Sequence, residues 1–429
     1  MTYIKPETTS NQSSAVKVII RQGIEATQNQ NWSEVSNQLK QLPQKKSDHQ
    51  SEIIQEQFWL DPEDWQTVFN IALEMLIEGD FQHKWEITKT FPLLGSQIIN
   101  PLNALVIDEK VESEVRWFIC QILGNFAEQS VVFSLVQLLK QSTDSELIII
   151  AGKTLSKIGD RAIDALVELL SKPEYCLLAA NALSYIRSSA TITPLLAITT
   201  AEDSELRAIA INALGSFHDH RVPPVLIAAL QDKASTVRKE AAIALGFRPD
   251  LCQAMNLVEH LKPLLYDVNL EVCSQVAISL GRMQQPTATN ALSEVLAANT
   301  TPVRLKSDLV KALGWSQLSS GISYLEQALT NASELIIQEI IIVLGRISTP
   351  ELKHQSVQVL INFWQQRSSL PAPIRQDLAT ALGELRDRSA QPVLEQLATD
   401  SDRKVQLHAI SALKKLVNSS ELVVRNSEF

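Results

Sequence analysis

The chain has 429 residues and a formal net charge of −10, and 45% of its residues are hydrophobic while only 5% are aromatic. An acidic chain lacks the basic surface that supplies most of the binding energy for nucleic acid, so we expect no nucleic-acid partner. The sequence contains no apolar run of about 18 residues, as a membrane span needs, and no recognisable signal peptide. We therefore expect a cytoplasmic protein with no membrane span.

The N-terminal region shows weak helical patterns without a clear repeat. Residues 1–14 are polar and aperiodic, which predicts a disordered N-terminus. Amphipathic patterns within 15–84 predict four helices, at 15–27, 32–42, 51–60 and 62–77, with a polar loop at 43–50. We interpret 15–84 as a divergent helical cap, because the open end of a repeat stack would otherwise expose apolar surface.

From residue 85 onward the chain repeats itself. LRAIAINALG at 206–215 returns as VRKEAAIALG at 237–246, 31 residues later. Similar endings occur at Leu94-Gly95, Leu123-Gly124, Leu214-Gly215, Leu245-Gly246, Leu280-Gly281, Leu313-Gly314, Leu344-Gly345 and Leu382-Gly383, with divergent copies at Leu155-Ser156, Leu183-Ser184 and Leu413-Lys414. Periods of about 20 to 50 residues indicate stacked supersecondary units.

Each repeat predicts a helical hairpin. Val237, Ala241 and Leu245 recur at the spacing of one helix face, and the glycine that follows is typical of a left-handed C-cap. The other helix of this hairpin precedes it in VPPVLIAAL at 222–230, where the prolines suit a first turn. One hairpin cannot bury its apolar face alone. The sequence thus predicts an all-α fold, an α-solenoid over 85–417, with a frayed tail at 418–429.

The repeat pattern resembles a known family. VRxxAAxALG, followed by a GDxRA-like loop (IGDRA at 158–162, FHDHR at 217–221), is similar to HEAT-like repeats of the phycobilisome-lyase type, the bilin lyase E/F-like proteins. The resemblance covers roughly 85–417, and it implies that the second helix of each hairpin lines a concave face. Four arginines lie eight residues before the glycine, and we expect them to pair with acidic turn residues such as Asp232: Arg116, Arg207, Arg238 and Arg375.

Motifs for catalysis or metal binding are not found in the sequence. It contains no HExxH, P-loop, GxSxG, GxGxxG or CxxC motif, and no histidine is followed by glutamate as in the di-iron HEAT-like hydroxylases. His218 and His220 lie in a predicted surface loop. The cysteines, Cys120, Cys176, Cys252 and Cys273, are predicted to be small core residues in a reducing compartment. We predict no catalytic residue, no metal ligand and no cofactor.

The positions three and seven residues before each glycine vary between repeats, which indicates that core packing does not constrain them. Their spacing of four places each pair on one helix face. The pairs are Trp117/Gln121, Ile149/Lys153, Leu177/Asn181, Ala208/Asn212, Lys239/Ile243, Ser274/Ile278, Ser307/Lys311, Gln338/Ile342, Gln376/Thr380 and Leu407/Ser411. We call these positions the stripe, and we predict that its binding residues are Trp117, Phe118, Gln121, Lys153, Asn181, Asn212, Lys239 and Ile243.

Two functions fit this sequence. A stripe of mixed polar and apolar residues suits a protein partner, which favours a non-enzymatic solenoid that acts as an adaptor or as an assembly or turnover factor. The resemblance implies a phycobiliprotein or related protein as that partner. The alternative is a bilin lyase or isomerase acting on phycobiliproteins together with a second subunit. We favour the adaptor because no residue cluster resembles an acid–base site.

Overall fold

Helices make up nearly all of the structure. The computed structural model describes residues 8–42, 44–46, 56–58, 60–367 and 369–426. They form two compact units, which we call unit 1 (Met1–Ile198) and unit 2 (Thr199–Phe429). The prediction of an all-α repeat fold is confirmed, with one short β-ribbon as the exception.

Unit 1 contains eleven α-helices among the residues that the structure describes. They are α1 (Thr8–Gln28), α2 (Trp32–Lys40), α3 (Pro62–Glu78), α4 (Phe81–Thr90), α5 (Ile99–Ile107), α6 (Ser113–Leu123), α7 (Gln129–Gln141), α8 (Ser145–Ile158), α9 (Ile163–Leu170), α10 (Pro173–Tyr185) and α11 (Ile192–Ile198). Short 3₁₀ turns occur at Phe91–Leu94, Ser96–Ile98, Gly159–Ala162 and Ser189–Thr191.

Unit 2 continues the alternation of helices. Its α-helices are α12 (Ser204–Leu214), α13 (Val222–Ala229), α14 (Ser235–Gly246), α15 (Leu257–Leu261), α16 (Leu270–Arg282), α17 (Pro286–Ala297), α18 (Val303–Trp315), α19 (Ser319–Leu329), α20 (Glu334–Gly345), α21 (Pro350–Gln365), α22 (Ala372–Leu385), α23 (Gln391–Leu397) and α24 (Arg403–Asn426). Its 3₁₀ turns are Pro249–Leu251, Lys262–Tyr266 and Arg388–Ala390.

The N-terminal region corrects two predictions. Two short strands, β1 (Gln44–Lys46) and β2 (Glu56–Phe58), pair antiparallel with Gln44 opposite Phe58. The helix predicted over 51–60 is therefore wrong at 56–58, because strand pairing satisfies this backbone; residues 51–55 and 59 lie outside the described residues. Helix α1 begins at Thr8, inside the segment predicted to be disordered, because the helix nucleated by the buried Val16 and Ile20 continues through polar residues.

The C-terminal tail is also more regular than predicted. Helix α24 extends to Asn426, although the apolar repeat pattern ends near Leu416. Once a helix has nucleated, each further residue adds a hydrogen bond without a new nucleation cost. The backbone therefore remains helical through most of the tail predicted to fray, and residues 427–429 lie outside the described residues.

The repeats stack through their second helices, which are α6, α8 and α10 in unit 1 and the even-numbered helices α12 to α24 in unit 2. Within each unit, consecutive second helices pack directly on one another, as expected for a solenoid. In α14 the predicted inner face is buried, since Val237, Ala241 and Leu245 expose at most 1% of their surface. Helix α4, which crosses the predicted boundary between the cap (15–84) and the solenoid (85–417), packs on α6 in the same way.

From Gly124 onward the recurring glycine does not act as the predicted left-handed cap, whereas the first copy, Gly95, has a positive φ of 80°. Gly215 has a φ of −55°, and α16 continues past Gly281 to Arg282. A Cβ at Gly281 would lie 2.6 Å from the backbone oxygen of Ala312 on α18, and one at Gly345 would lie 2.7 Å from the Cβ of Ala381 on α22. The glycines therefore let adjacent second helices approach closely, which is the physical reason for their recurrence.

The predicted arginine pairs form in unit 2. Arg207 donates to both oxygens of Asp232 at 2.7 Å, and Arg238 and Arg375 make the same two-pronged contacts with Asp267 and Asp400. These hydrogen bonds lower the pKa of each of the three carboxyl groups. In unit 1 the prediction fails, because the buried Arg116 donates instead to the carbonyl oxygen of Val106 at 2.8 Å. The three arginine–aspartate pairs thus link turns within the packed helical framework of the repeats, which we call the frame.

Among the described residues no single helix is both long enough and apolar enough to cross a membrane. The segments Phe81–Leu94 and Ser96–Ile107 reach that length and apolarity only when they are taken together, and the chain bends by 114° between them.

Candidate protein-binding stripe

The stripe lies on the accessible side of the second helices. Of the ten pairs of positions, only Ser274 is buried, and all the other residues are partly or fully exposed. In most repeats the second and third residues between each pair are buried, as Ala241 and Ala242 are, whereas the first is often half-exposed, as Glu240 and Glu339 are. The spacing rule therefore places the stripe at the surface in both units, with Ser274 as the exception.

The structure extends the stripe by one further residue in each repeat. Since the second helices run up to or past the glycine, the residue directly after it lies four positions beyond the last stripe residue and on the same face. These residues are Asn125, Lys157, Tyr185, Ser216, Phe247, Arg282, Trp315, Arg346, Glu384 and Lys415. The sequence interpretation missed them because it ended each helix at the glycine; continuing the four-residue spacing would have found them.

In unit 1 the stripe forms a groove between α8 and α10. Its volume is about 470 Å³, and it is lined by Ile148, Ile149, Gly152, Lys153, Ser156, Glu174, Leu177, Leu178, Asn181, Ala182 and Tyr185. The rim is apolar and open to solvent, since Ile149 is 54% exposed, Leu177 36% and Tyr185 67%. A Cβ at Gly152 would be no closer than 3.8 Å to Leu178, so the absence of a side chain there deepens the floor.

Trp117 and Phe118 on α6 have different roles although they are neighbours in sequence. Trp117 is half-buried, and its ring meets Phe118 edge to face at a centroid distance of 5.1 Å. Phe118 is fully buried, and Phe81 of α4 covers it at 5.4 Å. Phe118 therefore cannot contact a partner, because the preceding helix α4 already covers it. Its role is to pack against Trp117.

The polar groups around the unit 1 groove have unused hydrogen-bonding capacity. Within the described residues, neither the Lys153 ammonium nor the Glu174 carboxylate makes a hydrogen bond or an ion pair. Asn181 uses its Nδ2 to donate to the carbonyl oxygen of Leu177 at 3.0 Å, which leaves its Oδ1 as an acceptor. Gln121 is half-exposed beside them on α6. This face can therefore offer an apolar surface bordered by one cation and one anion.

In unit 2 several stripe residues contact acidic side chains that lie beside the stripe, mostly on the next second helix. Asn212 donates to Glu240 at 2.7 Å, Gln338 donates to Asp377 at 2.8 Å, and Lys311 lies 3.7 Å from Glu339. Lys239 is half-exposed and lies 3.8 Å from Glu240. Ile243, also half-exposed, is an apolar side chain among these polar ones. The polar side chains of Asn212, Lys311 and Gln338 are thus satisfied by neighbouring acidic groups.

The predicted binding residues consequently divide into two sets. Trp117, Gln121, Lys153 and Asn181 share the accessible face of unit 1, where they surround or adjoin the groove. Asn212, Lys239 and Ile243 lie on α12 and α14 in unit 2. Each unit therefore has its own candidate surface.

Reactive side chains occupy structural positions. His220 lies in an exposed loop where Arg221 donates to Asp219 at 2.9 Å, and this contact holds the pKa of the Asp219 carboxyl well below its usual range. Cys120 is buried, and burial raises the pKa of its thiol to about 12. Cys252 and Cys273 are also buried, as predicted, whereas Cys176 is only half-buried. The described residues contain no group of three histidine, cysteine or acidic side chains that could hold a metal ion.

Comparison with known proteins identifies the repeat type. A model described as HEAT repeats matches residues 102–187 and 173–246, which include second helices from α6 to α14. None of the curated protein sequences is significantly similar to this chain. The chain therefore contains HEAT repeats, as its pattern predicts.

Solved structures share the fold at low sequence identity. A structure describing Kap95p binding to RanGDP matches 86% of this chain and 58% of that chain, with 12% identity and a TM-score of 0.53. Kap121p bound to the SUMO protease Ulp1p matches 94% of this chain and 53% of that chain, with 14% identity and a TM-score of 0.52. The chain thus spans little more than half the length of these karyopherin chains, and the similarity concerns the solenoid fold alone.

Proposed function

We propose that this chain is a protein-binding scaffold whose contact surface in unit 1 is the groove between α8 and α10 together with Trp117. The observation that carries the proposal is the exposure of Ile149, Leu177 and Tyr185 along one face. A contiguous apolar patch on the surface of a soluble domain usually marks an interaction site. Aromatic side chains in such a patch contribute strongly to binding energy.

The solved structures with a similar fold support a protein-binding function. The Kap95p and Kap121p structures are each described as bound to another protein, RanGDP and Ulp1p respectively. Proteins with this solenoid fold can therefore bind other proteins. For this chain we propose a phycobilisome protein, such as a phycobiliprotein, as the partner, because the repeat and loop pattern resembles the phycobilisome-lyase type.

The rival function is that of a bilin lyase or isomerase acting with a second subunit. One observation favours it: the cation of Lys153 and the aromatic rings of Trp117 and Tyr185 border the same face of unit 1. A bilin carries propionates that a lysine can bind and a conjugated tetrapyrrole that can stack on aromatic rings. The two functions differ in whether a covalent bond is made.

The binding proposal is tested by titrating the full chain with a labelled phycobiliprotein. The variant Leu177→Ser should weaken binding by roughly tenfold, because it removes apolar contact area at the centre of the groove. Val167→Ser is the matched control, since Val167 is 39% exposed, close to the 36% of Leu177, but lies on α9, a first helix of the repeat. Equal weakening by both variants would refute the groove as the contact surface.

The rival is tested by incubating the chain with free bilin and a phycobiliprotein apo-subunit. A scaffold leaves the pigment unattached, and the apo-subunit then shows no colour after denaturing electrophoresis. A thiol-linked adduct that forms only when the chain is present would contradict the scaffold proposal and support the lyase. A second arm includes the related second subunit, because a two-subunit lyase needs both chains.

A further inference from the structure

The extended stripe contains an unusual row in unit 2. In four consecutive repeats the residue after the glycine alternates between an aromatic ring and an arginine: Phe247, Arg282, Trp315 and Arg346. Arg282 and Trp315 are the last residues of α16 and α18, and Phe247 and Arg346 directly follow α14 and α20. Because these second helices pack on one another in order, the four side chains follow one line, which we call the aromatic–arginine row.

The row is accessible to a partner. Phe247 is 61% exposed and Trp315 is 49% exposed, and both arginines are exposed. The guanidinium carbon of Arg282 lies 4.5 Å from the centre of the Phe247 ring. Stacking on a ring orients a guanidinium while leaving its N–H edges free for a planar acceptor such as a carboxylate.

Both arginines lack an acidic partner within the part of the chain that the structure describes. The arginines of the frame differ in this respect, since Arg207 and Arg238 are each paired with an aspartate. The chain has 48 acidic against 38 basic residues, so an intramolecular partner would be easy to supply. Unpaired guanidinium groups beside exposed aromatic rings are typical of a recognition surface.

We propose that the aromatic–arginine row binds an extended acidic segment of a partner protein. One carboxylate of the segment accepts two hydrogen bonds from Arg282 and a second accepts two from Arg346. An apolar side chain midway between them packs on Trp315. This surface belongs to unit 2 and does not depend on the proposed function of the groove in unit 1.

The spacing of the row sets the spacing within the segment. Packed helices lie about 8–10 Å apart, so the two arginines, two repeats apart, are separated by about 16–20 Å. A segment in the extended polyproline II conformation advances about 3.1 Å per residue, and its side chains return to the same side every three residues. The two acidic residues should therefore be about six residues apart, and the apolar residue should follow the first by about three, so that all three face the row.

The surrounding charges favour a polypeptide over a single-stranded nucleic acid. Asp308 and Glu339 are partly exposed on α18 and α20, about two helical turns before Trp315 and Arg346. A continuous line of phosphates would meet these carboxylates, whereas a peptide places its few charges only where the arginines lie. Nucleic-acid binding also depends on many basic contacts, and the row provides two.

The proposal is tested by fluorescence anisotropy with the full chain and a fluorescein-labelled peptide. The probe has about 13 residues, two glutamates about six residues apart, a leucine midway and a glycine–serine background. Its control has glutamine in place of both glutamates. We expect the glutamate peptide to bind at least about tenfold more tightly, because only carboxylates form charge-assisted hydrogen bonds with arginine.

Variants of the chain assign that binding to the row. Arg282→Gln and Arg346→Gln should each weaken it by about tenfold, and Trp315→Ala should also weaken it. Arg304→Gln should leave it unchanged, since Arg304 is equally accessible but is paired with Glu271 at 2.5 Å. The proposal is overturned if the glutamine peptide binds equally well, if Arg282→Gln and Arg346→Gln together change nothing, or if single-stranded oligo-dT binds more tightly than the glutamate peptide.

Discussion

Unit 1 and unit 2 place the same positions of each second helix at the surface, yet these positions differ in chemistry. In unit 1, Ile149, Leu177 and Tyr185 expose apolar area that no neighbouring helix covers. In unit 2, Asn212 and Gln338 are hydrogen-bonded to acidic residues on the next second helix, and the exposed rings of Phe247 and Trp315 alternate with arginines. A polar side chain can be satisfied by its neighbour or by water, but exposed apolar area is stabilised only when another molecule covers it.

The difference shows that the frame and the surface of a repeat protein are specified separately. Packing restricts the buried positions of α14 to small or branched apolar residues. At Gly281 and Gly345 the next second helix lies so close that there is no room for a side chain. The stripe is free of that restriction, so each unit can present a different surface on the same frame. The following predictions test this separation.

The largest effect should come from Phe118 in unit 1. Phe118→Ala should lower the free energy of unfolding by about 3–5 kcal/mol, because the side chain is fully buried beneath Phe81. Trp117→Ala should lower it by only about 1–2 kcal/mol, since Trp117 is half-exposed. Urea titrations followed by circular dichroism measure both values, and equal losses would contradict the assignment of faces on α6.

The same contrast should hold in unit 2, on α14. Leu245→Ala removes a fully buried side chain and should cost about 2–5 kcal/mol. Lys239→Ala, on the stripe, should change the free energy of unfolding by no more than about 0.5 kcal/mol. If the lysine variant proves as unstable as the leucine variant, the stripe of unit 2 belongs to the frame.

The glycines allow a test of close helix packing. Gly281→Ala should destabilise by about 1–3 kcal/mol, because the added Cβ would meet the backbone of Ala312 at 2.6 Å. Gly152→Ala is the control, since the added Cβ makes only ordinary contacts on the floor of the groove. Alanine is the better helix former, so this variant should be neutral or stabilised by up to about 1 kcal/mol. The midpoint temperature of unfolding should therefore fall in Gly281→Ala and stay the same or rise in Gly152→Ala. An equal fall in both variants would argue against close packing.

Because three arginine–aspartate pairs stabilise unit 2, we expect acid to destabilise its frame. Hydrogen bonds from arginine lower the pKa of the carboxyl groups of Asp232, Asp267 and Asp400 in the folded chain. A lowered pKa contributes stability that is present above the unfolded value of about 4 and is lost as the pH falls through the folded value. Arg116 in unit 1 donates to the carbonyl oxygen of Val106, which does not titrate in this range.

Hydrogen exchange measured by mass spectrometry at pH 7 and pH 3 can resolve this effect. Peptides from α12 to α16 should exchange faster, relative to their unfolded rates, in acid. The free energy of unfolding of Asp267→Asn should be about 1–2 kcal/mol lower than that of the unchanged chain at pH 7, and the difference should be much smaller at pH 3. An Asp267→Asn variant whose deficit is the same at both pH values would contradict the linkage.

The sequence contained enough information for the frame but not for every contact. The repeat period, the buried positions of α14 and the exposed stripe follow from residue spacing alone. The burial of Phe118 depends on Phe81 from another helix, and the partner of Arg116 depends on how α5 and α6 meet. Such contacts arise between repeats that have diverged, and spacing within one repeat does not report them.

The glycines show a second limit. A glycine after an apolar helix predicts a left-handed cap, and Gly95 does have a φ of 80°, but its copies in unit 2 are needed for close approach to the next helix. Because the helix was expected to end there, the residues Phe247, Arg282, Trp315 and Arg346 fell outside the predicted stripe. The same sequence signal can therefore arise from two physical causes, which only the neighbouring helix distinguishes.

If the stripe of unit 1 contacts a protein partner, site-specific photocrosslinking from the stripe should capture that partner. A benzoylphenylalanine placed at Ile149 or at Leu177 should crosslink the same protein, identified by mass spectrometry as a phycobilisome component, from an extract of the source cells. Phe133 is the control position, because it is 69% exposed but lies on α7, a first helix of the repeat. We expect crosslinks from both stripe positions and none from position 133. Equal crosslinking from position 133, or no crosslink from either stripe position, would contradict this expectation.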